Sequence, residues 1–143
     1  MIRLSKELVD RSIGELRRCG RGRRECVVYW TASLSSPTTV ADVVHPAHRS
    51  SRAGYTVDDR WLTRFSVELA DCRRTAVAQI HTHPGDWVAH SATDDGYVLV
   101  PSPGFISIVI PRFAANVDLD GWGVYVLSAV GVWRSAPEEV RIE

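Results

Sequence analysis

The sequence lacks an excess of charge of either sign. Its 143 residues include 17 lysines and arginines and 17 aspartates and glutamates, so the formal net charge is zero. A neutral chain has no broad electrostatic attraction to nucleic acid or to an anionic membrane, and we expect neither as a partner. The chain also lacks any apolar run near the about 20 residues that a membrane-spanning helix needs.

Cysteine and targeting signals are scarce as well. The N-terminal stretch "MIRLSKELVDRS" alternates charged with apolar residues, which argues against a signal peptide. The three cysteines, Cys19, Cys26 and Cys72, are odd in number and form no C-x-x-C pair. This usage predicts free thiols in a reducing compartment, and neither a disulfide scaffold nor a cysteine-ligated zinc. We therefore expect a soluble, cytoplasmic protein in which Cys26 is buried by packing.

What the sequence does contain is the composition of one folded domain. Hydrophobic residues make up 45% of the chain and charged residues 24%, which is an ordinary globular balance. A chain of this length can bury a sizeable core. No internal repeat or linker divides it, so we expect a single domain over residues 1–143.

Hydrophobic spacing predicts two main helices among several strands. Helical periodicity covers residues 4–20, with Ser5 as the N-cap and Gly20 at the exit, and residues 57–74, capped by Asp58. Residues 47–56 are polar and predict a loop. The strand candidates are residues 25–34, 38–46, 75–83, 104–111, 122–129 and 131–136, and residues 91–101 predict a short helix. This order favours an α/β fold with a mixed sheet flanked by helices.

The stretch "QIHTHPGDWVAHSATDDGY", residues 79–97, is unusually rich in possible metal ligands. His81 and His83 are two residues apart at a strand end, so both imidazoles lie on one face. Imidazole and carboxylate suit zinc, and three protein ligands leave a fourth position for water. H-x-H alone also occurs on surface strands without metal. S-x-x-D alone, as in Ser91 and Asp94, is also a helix-capping pattern.

The combined pattern is more specific than its parts. "HTHPGDWVAHSATD" resembles the JAMM signature H-[ST]-H-P-x6-S-x2-D of the JAB/MPN metalloprotease family, with no mismatch. The resemblance implies the MPN/JAB fold, which is similar to that of cytidine deaminases, with a mixed, mostly antiparallel sheet. It also implies one catalytic Zn2+ ion held by His81, His83 and Asp94. Glu25 would then be the general base and Ser91 the stabiliser of the oxyanion.

Glu25 is identified by its place on the first long strand after the N-terminal helix, where the family has its glutamate. The residues that follow it, "CVVYW", differ from the glycine and leucine that family members often have. His90 and Asp86 lie in the same stretch but outside the signature. We therefore leave both out of the ligand set.

The resemblance implies a zinc isopeptidase or peptidase that cleaves after the C-terminal glycine of a ubiquitin-like protein. Its partners would be that protein or its conjugates, together with activating and conjugating enzymes encoded in the same operon. Antiviral operons of bacteria are one such context. The first alternative is processing of a sulfur-carrier protein. Others are a non-catalytic MPN scaffold, the DNA-repair branch of the fold, and a zinc amidohydrolase acting on small molecules.

An extended substrate tail would need a groove beside the metal. Residues 47–56 and 86–90 flank the proposed site in sequence and are the expected walls. Trp87 lies inside the metal loop and has two interpretations. It either covers the leaving-group side of the substrate or anchors the loop on the domain.

Overall fold

The computed structural model describes residues 1–91, 98–115 and 119–143, and within them two helices pack against a central sheet. The helices are α1 (Lys6–Gly20) and α2 (Asp59–Asp71). The strands are β1 (Ile2–Leu4), β2 (Val27–Ser33), β3 (Val40–Val44), β4 (His48–Ser51), β5 (Gly54–Val57), β6 (Arg74–Thr82), β7 (Ile106–Ile110), β8 (Gly123–Leu127), β9 (Trp133–Ser135) and β10 (Val140–Ile142). Short 3-10 turns lie at Arg112–Ala114, Leu119–Gly121 and Pro137–Glu139.

The central sheet has six strands in the order β3-β2-β6-β7-β8-β9. Only β6 and β7 run parallel, and the other neighbouring pairs are antiparallel. The expected α/β fold with a mixed, mostly antiparallel sheet is therefore confirmed. Strands β2 and β6 lie inside the sheet, and their register aligns Val27 with His81.

Alternation along β2 divides the core into two layers. Val28 and Trp30 face α1, where they join a cluster with Leu16 and others. Val27 and Tyr29 face the other way and pack with Phe65 of α2. Because successive strand residues point to opposite faces, each helix covers one side of the sheet.

Both helices begin at the predicted caps. The side chain of Ser5 accepts a hydrogen bond from the Leu8 N–H, and that of Asp58 accepts one from the Trp61 N–H. The end of α1 differs slightly from expectation. Arg21, one residue after Gly20, is the one that adopts the left-handed conformation, with φ of 51°.

Three local expectations need correction or stay open. Residues 47–56 are not a loop, because β4 and β5 pair there as an antiparallel hairpin. The terminal strands β1 and β10 were not predicted, and they pair in parallel with each other. Of the helix expected over residues 91–101, residues 92–97 lie outside the described part of the chain. Residues 98–100 are not helical, and there the Leu99 N–H donates to Gln79 Oε1.

The cysteine prediction was wrong for two of the three residues. Cys19 and Cys26 form a disulfide, with their Cα atoms 6.1 Å apart. The chain reverses between α1 and β2, so that Cys19 in the last turn of α1 lies next to Cys26, the residue before β2. The separation of the two cysteines in the sequence does not reveal this contact. Cys72 is a free thiol, as expected, and it is exposed. Cys26 is fully buried in the α1 layer, also as expected.

The described residues include no helix that is both long and apolar enough to cross a membrane.

Candidate active site

His81 and His83 lie at the end of β6 and converge on one point. His81 is fully buried and His83 is 3% exposed. Their Nε2 atoms are 3.3 Å apart. Since residues i and i+2 of a strand share a face, the H-x-H spacing alone accounts for this convergence.

The distance between the two nitrogens fits a shared metal ion. Two nitrogen ligands at about 2.0–2.1 Å from a tetrahedral zinc lie about 3.3–3.4 Å from each other. Both atoms can offer a lone pair to the same cation. The two imidazoles therefore have the chemistry and the spacing of half of a zinc site.

The backbone around His83 fixes the orientation of its ring. The Nδ1–H of His83 donates to the Trp87 carbonyl at 2.9 Å, which leaves Nε2 unprotonated and directed at His81. The His83 N–H donates to the Ile110 carbonyl, and the His83 carbonyl accepts from the Phe113 N–H, each at 2.9 Å. Metal-bound histidines typically carry such a hydrogen bond on the second ring nitrogen.

Glu25 lies two residues before β2, the strand that pairs with β6. The β2–β6 register that aligns Val27 with His81 puts Glu25 opposite His83 when it is continued by two residues. Residues directly opposite in an antiparallel pair point to the same face. Glu25 is 6% exposed, and its N–H donates to the Ser51 carbonyl of β4 at 2.8 Å. An acid this buried is a natural candidate for proton transfer.

The loop after His83 is held to the domain at two points. Asp86 forms an ion pair with Arg112, whose N–H also donates to the Gly85 carbonyl. The hydrogen bond from Arg112, and its positive charge, hold the pKa of Asp86 below its usual value. Further along, the Val88 carbonyl accepts a hydrogen bond from Tyr125 Oη at 2.8 Å.

Gly123 lies directly under this loop. A Cβ atom at Gly123 would come within 2.4 Å of the Val88 carbonyl oxygen. That separation is too short for any side chain, so glycine is needed at this position if the loop is to keep its place.

His90 and Asp86 were left out of the ligand set, and the structure gives each another contact. His90 Nε2 is 2.9 Å from Ser107 Oγ. The His90 ring packs against Tyr125 and Trp133 at centroid distances of 4.4 and 4.9 Å. Its ring centroid lies 6.3 Å from that of His81, close to the site but engaged with the β7–β9 side.

Two aromatic side chains border the histidines. Trp87 is 57% exposed, and its ring stacks on His83 with centroids 5.0 Å apart and planes at 16°. Tyr55 of the β4–β5 hairpin lies 5.6 Å from His81 between ring centroids. Tyr55 was not among the predicted site residues, because it lies in a stretch that is predicted to be a loop. The alternation of apolar Tyr55 and Val57 with a polar residue between them was the available sign of a strand at this position.

The chain is similar to known proteins in sequence and in structure. No protein-family model matches the chain. A protein of Sinorhizobium fredii named as a probable metalloprotease is 31% identical over 97% of this chain and 89% of its own length. A solved JAB1/MPN domain protein from Archaeoglobus fulgidus covers 99% of this chain and 97% of its own, at 12% identity and a TM-score of 0.56.

The chain belongs to the JAB/MPN metalloprotease family. Two further structures share its fold. A protein from Desulfitobacterium hafniense covers 100% of this chain and 93% of its own, at 13% identity and a TM-score of 0.67. A structure described as a JAMM metalloprotease-like zinc site covers 100% and 98%, at 11% identity and a TM-score of 0.54.

As a JAB/MPN metalloprotease, this chain is a metal-dependent peptidase, and its motif residues divide into two groups. The structure brings His81, His83 and Glu25 to one face at the ends of β6 and β2. Ser91 is half-buried at the end of the loop. Asp94, the predicted third ligand, lies outside the described residues, so its position stays a prediction.

Proposed function

We propose that this metalloprotease is a zinc-dependent isopeptidase that cleaves after the C-terminal glycine of a ubiquitin-like protein. The observation that carries the proposal is the pair of imidazole nitrogens 3.3 Å apart, on the same face as the buried Glu25. A buried acid beside a metal site is the minimal apparatus for hydrolysis of an amide bond.

The ligand set in the proposal is His81, His83 and Asp94, which would hold one catalytic Zn2+ ion. A zinc ion held there would supply a Lewis acid that polarises the scissile carbonyl, and it would lower the pKa of a water molecule to about 7. The hydrogen bond from His83 Nδ1 to the Trp87 carbonyl keeps the imidazole in the tautomer that can bind a cation.

Glu25 and Ser91 have separate roles in this mechanism. The Glu25 carboxylate accepts a proton from the attacking water and returns it to the leaving amine. Burial in the same layer as the histidines keeps this carboxylate away from bulk solvent. The Ser91 hydroxyl donates a hydrogen bond to the oxygen that develops negative charge on the tetrahedral intermediate.

The proposed substrate is a flexible C-terminal tail, which would lie extended beside the histidines. The β4–β5 hairpin supplies Tyr55 beside His81, and the loop after His83 supplies Trp87, which stacks on His83. Because β2 and β6 are interior strands, the tail cannot pair with them. In the proposal it runs between the hairpin and Trp87, with the scissile carbonyl above His81 and His83.

The decisive experiment measures zinc content and activity in matched variants. The probe is a ubiquitin-like protein extended by a short C-terminal peptide. Glu25→Gln should keep the zinc content of the wild type and lower kcat/KM by at least about 10²-fold, because the acid is lost but no ligand is. His83→Ala should lose one equivalent of zinc together with the activity. Glu68→Gln, an exposed acid on α2, is the control and should change neither.

Two outcomes would contradict the proposal. If activity survives Glu25→Gln, Glu25 is not the general base. If zinc content is unaffected by His83→Ala, His83 is not a zinc ligand. Equal zinc loss in both variants would make Glu25 a ligand instead. The genes beside this one distinguish the substrates: activating and conjugating enzymes favour deconjugation, and thiamine or cysteine biosynthesis genes favour processing of a sulfur carrier.

A further inference from the structure

A second group of metal-binding side chains lies apart from the JAMM motif residues. It consists of Cys19, Cys26, His45 and His48, which we call the cysteine–histidine cluster. Their ligand atoms all lie within 4.8 Å of one another. Cys19 lies in the last turn of α1, Cys26 is the residue before β2, His45 follows β3 and His48 begins β4. No part of the proposed isopeptidase mechanism uses them.

Three sulfur–nitrogen distances within the cluster are close to those of a tetrahedral zinc site. Cys19 Sγ is 3.3 Å from His48 Nε2, and Cys26 Sγ is 3.4 Å from His45 Nε2 and 3.7 Å from His48 Nε2. With Zn–S near 2.3 Å and Zn–N near 2.0–2.1 Å, a tetrahedral ion holds sulfur and nitrogen ligands about 3.5–3.6 Å apart. The cross-distances between thiol and imidazole are thus those of a zinc-finger-type ligand set.

The orientation of the imidazoles also favours a cation. The Nδ1–H of His48 donates to the Pro46 carbonyl at 2.9 Å, so its Nε2 presents a bare lone pair to the sulfurs. His45 Nδ1 is 4.0 Å from Glu15 Oε2. Histidines bound to metals show this arrangement, with a carbonyl or carboxylate on the second nitrogen. The disulfide sulfurs carry no proton that they could donate to the lone pair of His48 Nε2. A metal ion bound between the sulfurs and this nitrogen would accept that lone pair.

We propose that Cys19, Cys26, His45 and His48 bind a structural zinc ion when the two cysteines are reduced. Two reductant thiols, which are oxidised to their own disulfide, or a phosphine together with water, which is oxidised to the phosphine oxide, supply two electrons and two protons to the protein disulfide and yield two thiols. Binding of zinc then releases both protons to solvent and forms two zinc–sulfur and two zinc–nitrogen bonds. Four protein ligands leave no position for water, which is the mark of a structural site. The reduced form is the one that the cytoplasm maintains.

This site would tie together the segments that carry the proposed base. Cys26 directly follows Glu25, and the Glu25 N–H donates to Ser51 of β4, three residues after His48. A zinc ion there would join the end of α1 to both segments. The inference does not depend on the isopeptidase proposal, because it concerns a separate ion and a separate ligand set.

Cobalt substitution tests the site in the full chain. The wild-type protein is reduced with a phosphine, loaded with Co2+ and examined by near-ultraviolet absorption, where thiolate-to-cobalt charge transfer is seen only with sulfur ligands. We expect this band in the reduced protein and its absence in protein oxidised to the disulfide. Zinc analysis should find one more equivalent in the reduced form than in the oxidised form.

Variants identify the ligands. Cys19→Ser and His48→Ala should each weaken or abolish the cobalt band and lower the zinc content by one equivalent. Cys72→Ser changes an exposed cysteine outside the cluster and should keep both. His83→Ala should lose the other zinc equivalent but retain the band. A reduced wild-type chain without a thiolate band would overturn the proposal even if the variants fail to fold, and so would a band that is lost in Cys72→Ser alone.

Discussion

At the scale of single residues, the site depends on two geometric relations, one within a strand and one between two paired strands. The i, i+2 spacing of His81 and His83 is a property of any strand, and it brings their Nε2 atoms to 3.3 Å. The approach of Glu25 instead depends on the β2–β6 register. A shift of one residue in that register would turn Glu25 to the α1 side and leave the histidines without an acid.

Trp87 tests whether the stacked ring beside His83 contacts the substrate. Trp87→Ala should raise KM several-fold and leave the zinc content unchanged, because the ring is 57% exposed while its carbonyl, which orients His83, remains. Trp87→Phe should restore most of the affinity. The measurement is steady-state kinetics with the extended ubiquitin-like protein, and an unchanged KM in Trp87→Ala would show that the ring only covers the loop.

The ion pair of Asp86 and Arg112 makes a prediction about pH. Arg112 lowers the pKa of Asp86, so the pair contributes to stability above the ordinary aspartate pKa, and this contribution is lost as the pH falls through the lowered pKa of the folded state. NMR titration of the Asp86 carboxyl should give a pKa below 3.8 in the wild type. In Arg112→Gln the value should return toward 3.8, and an identical pKa in both proteins would exclude the pair in solution.

At the scale of elements, local signals located the helices well. Ser5 and Asp58 are capping residues at the start of amphipathic patterns, and both cap as predicted. The long strands were also found, since they are continuous apolar or β-branched runs. The β4–β5 hairpin was not, because its sequence "HRSSRAGYTV" is polar and its strands are four residues long. So short a strand is defined by its partner more than by its own composition.

The cap of α2 offers a matched comparison. Asp58→Ala removes the side-chain acceptor of the Trp61 N–H and should lower the free energy of unfolding by about 1 kcal/mol. Asp59→Ala removes the same charge one residue later, where the side chain caps nothing in the described structure, and should cost less. Urea denaturation of both variants measures the difference, and equal losses would attribute the effect to charge alone.

At the scale of the whole molecule, the two ends of the described chain close against each other. Strand β1 pairs in parallel with β10, Leu4 opposite Ile142, and the Glu143 N–H donates to the Leu4 carbonyl at 2.9 Å. Leu4 is 2% exposed and joins the α1 core layer. The terminal strands therefore complete one layer of the hydrophobic core.

Replacement of Leu4 tests this closure. Leu4→Ala should lower the free energy of unfolding by about 2–5 kcal/mol, because it removes a buried side chain and leaves a cavity. Leu34→Ala is the matched control, since Leu34 is 50% exposed, and it should change stability by less than about 0.5 kcal/mol. Chemical denaturation measures both, and similar values for the two variants would mean that the terminal strands add little to the fold.

The sequence by itself determined the chemistry of this protein: the H-x-H pair, the JAMM spacing, the helix caps and the mixed sheet all follow from local order and short periods. Only the tertiary structure decided which distant residues meet. The β2–β6 pairing brought the segment of Glu25 beside the end of β6, the hairpin placed Tyr55 next to His81, and the end of α1 met the residue before β2 at the Cys19–Cys26 disulfide. Such contacts arise from packing between segments far apart in the chain, and no periodicity of the sequence encodes them.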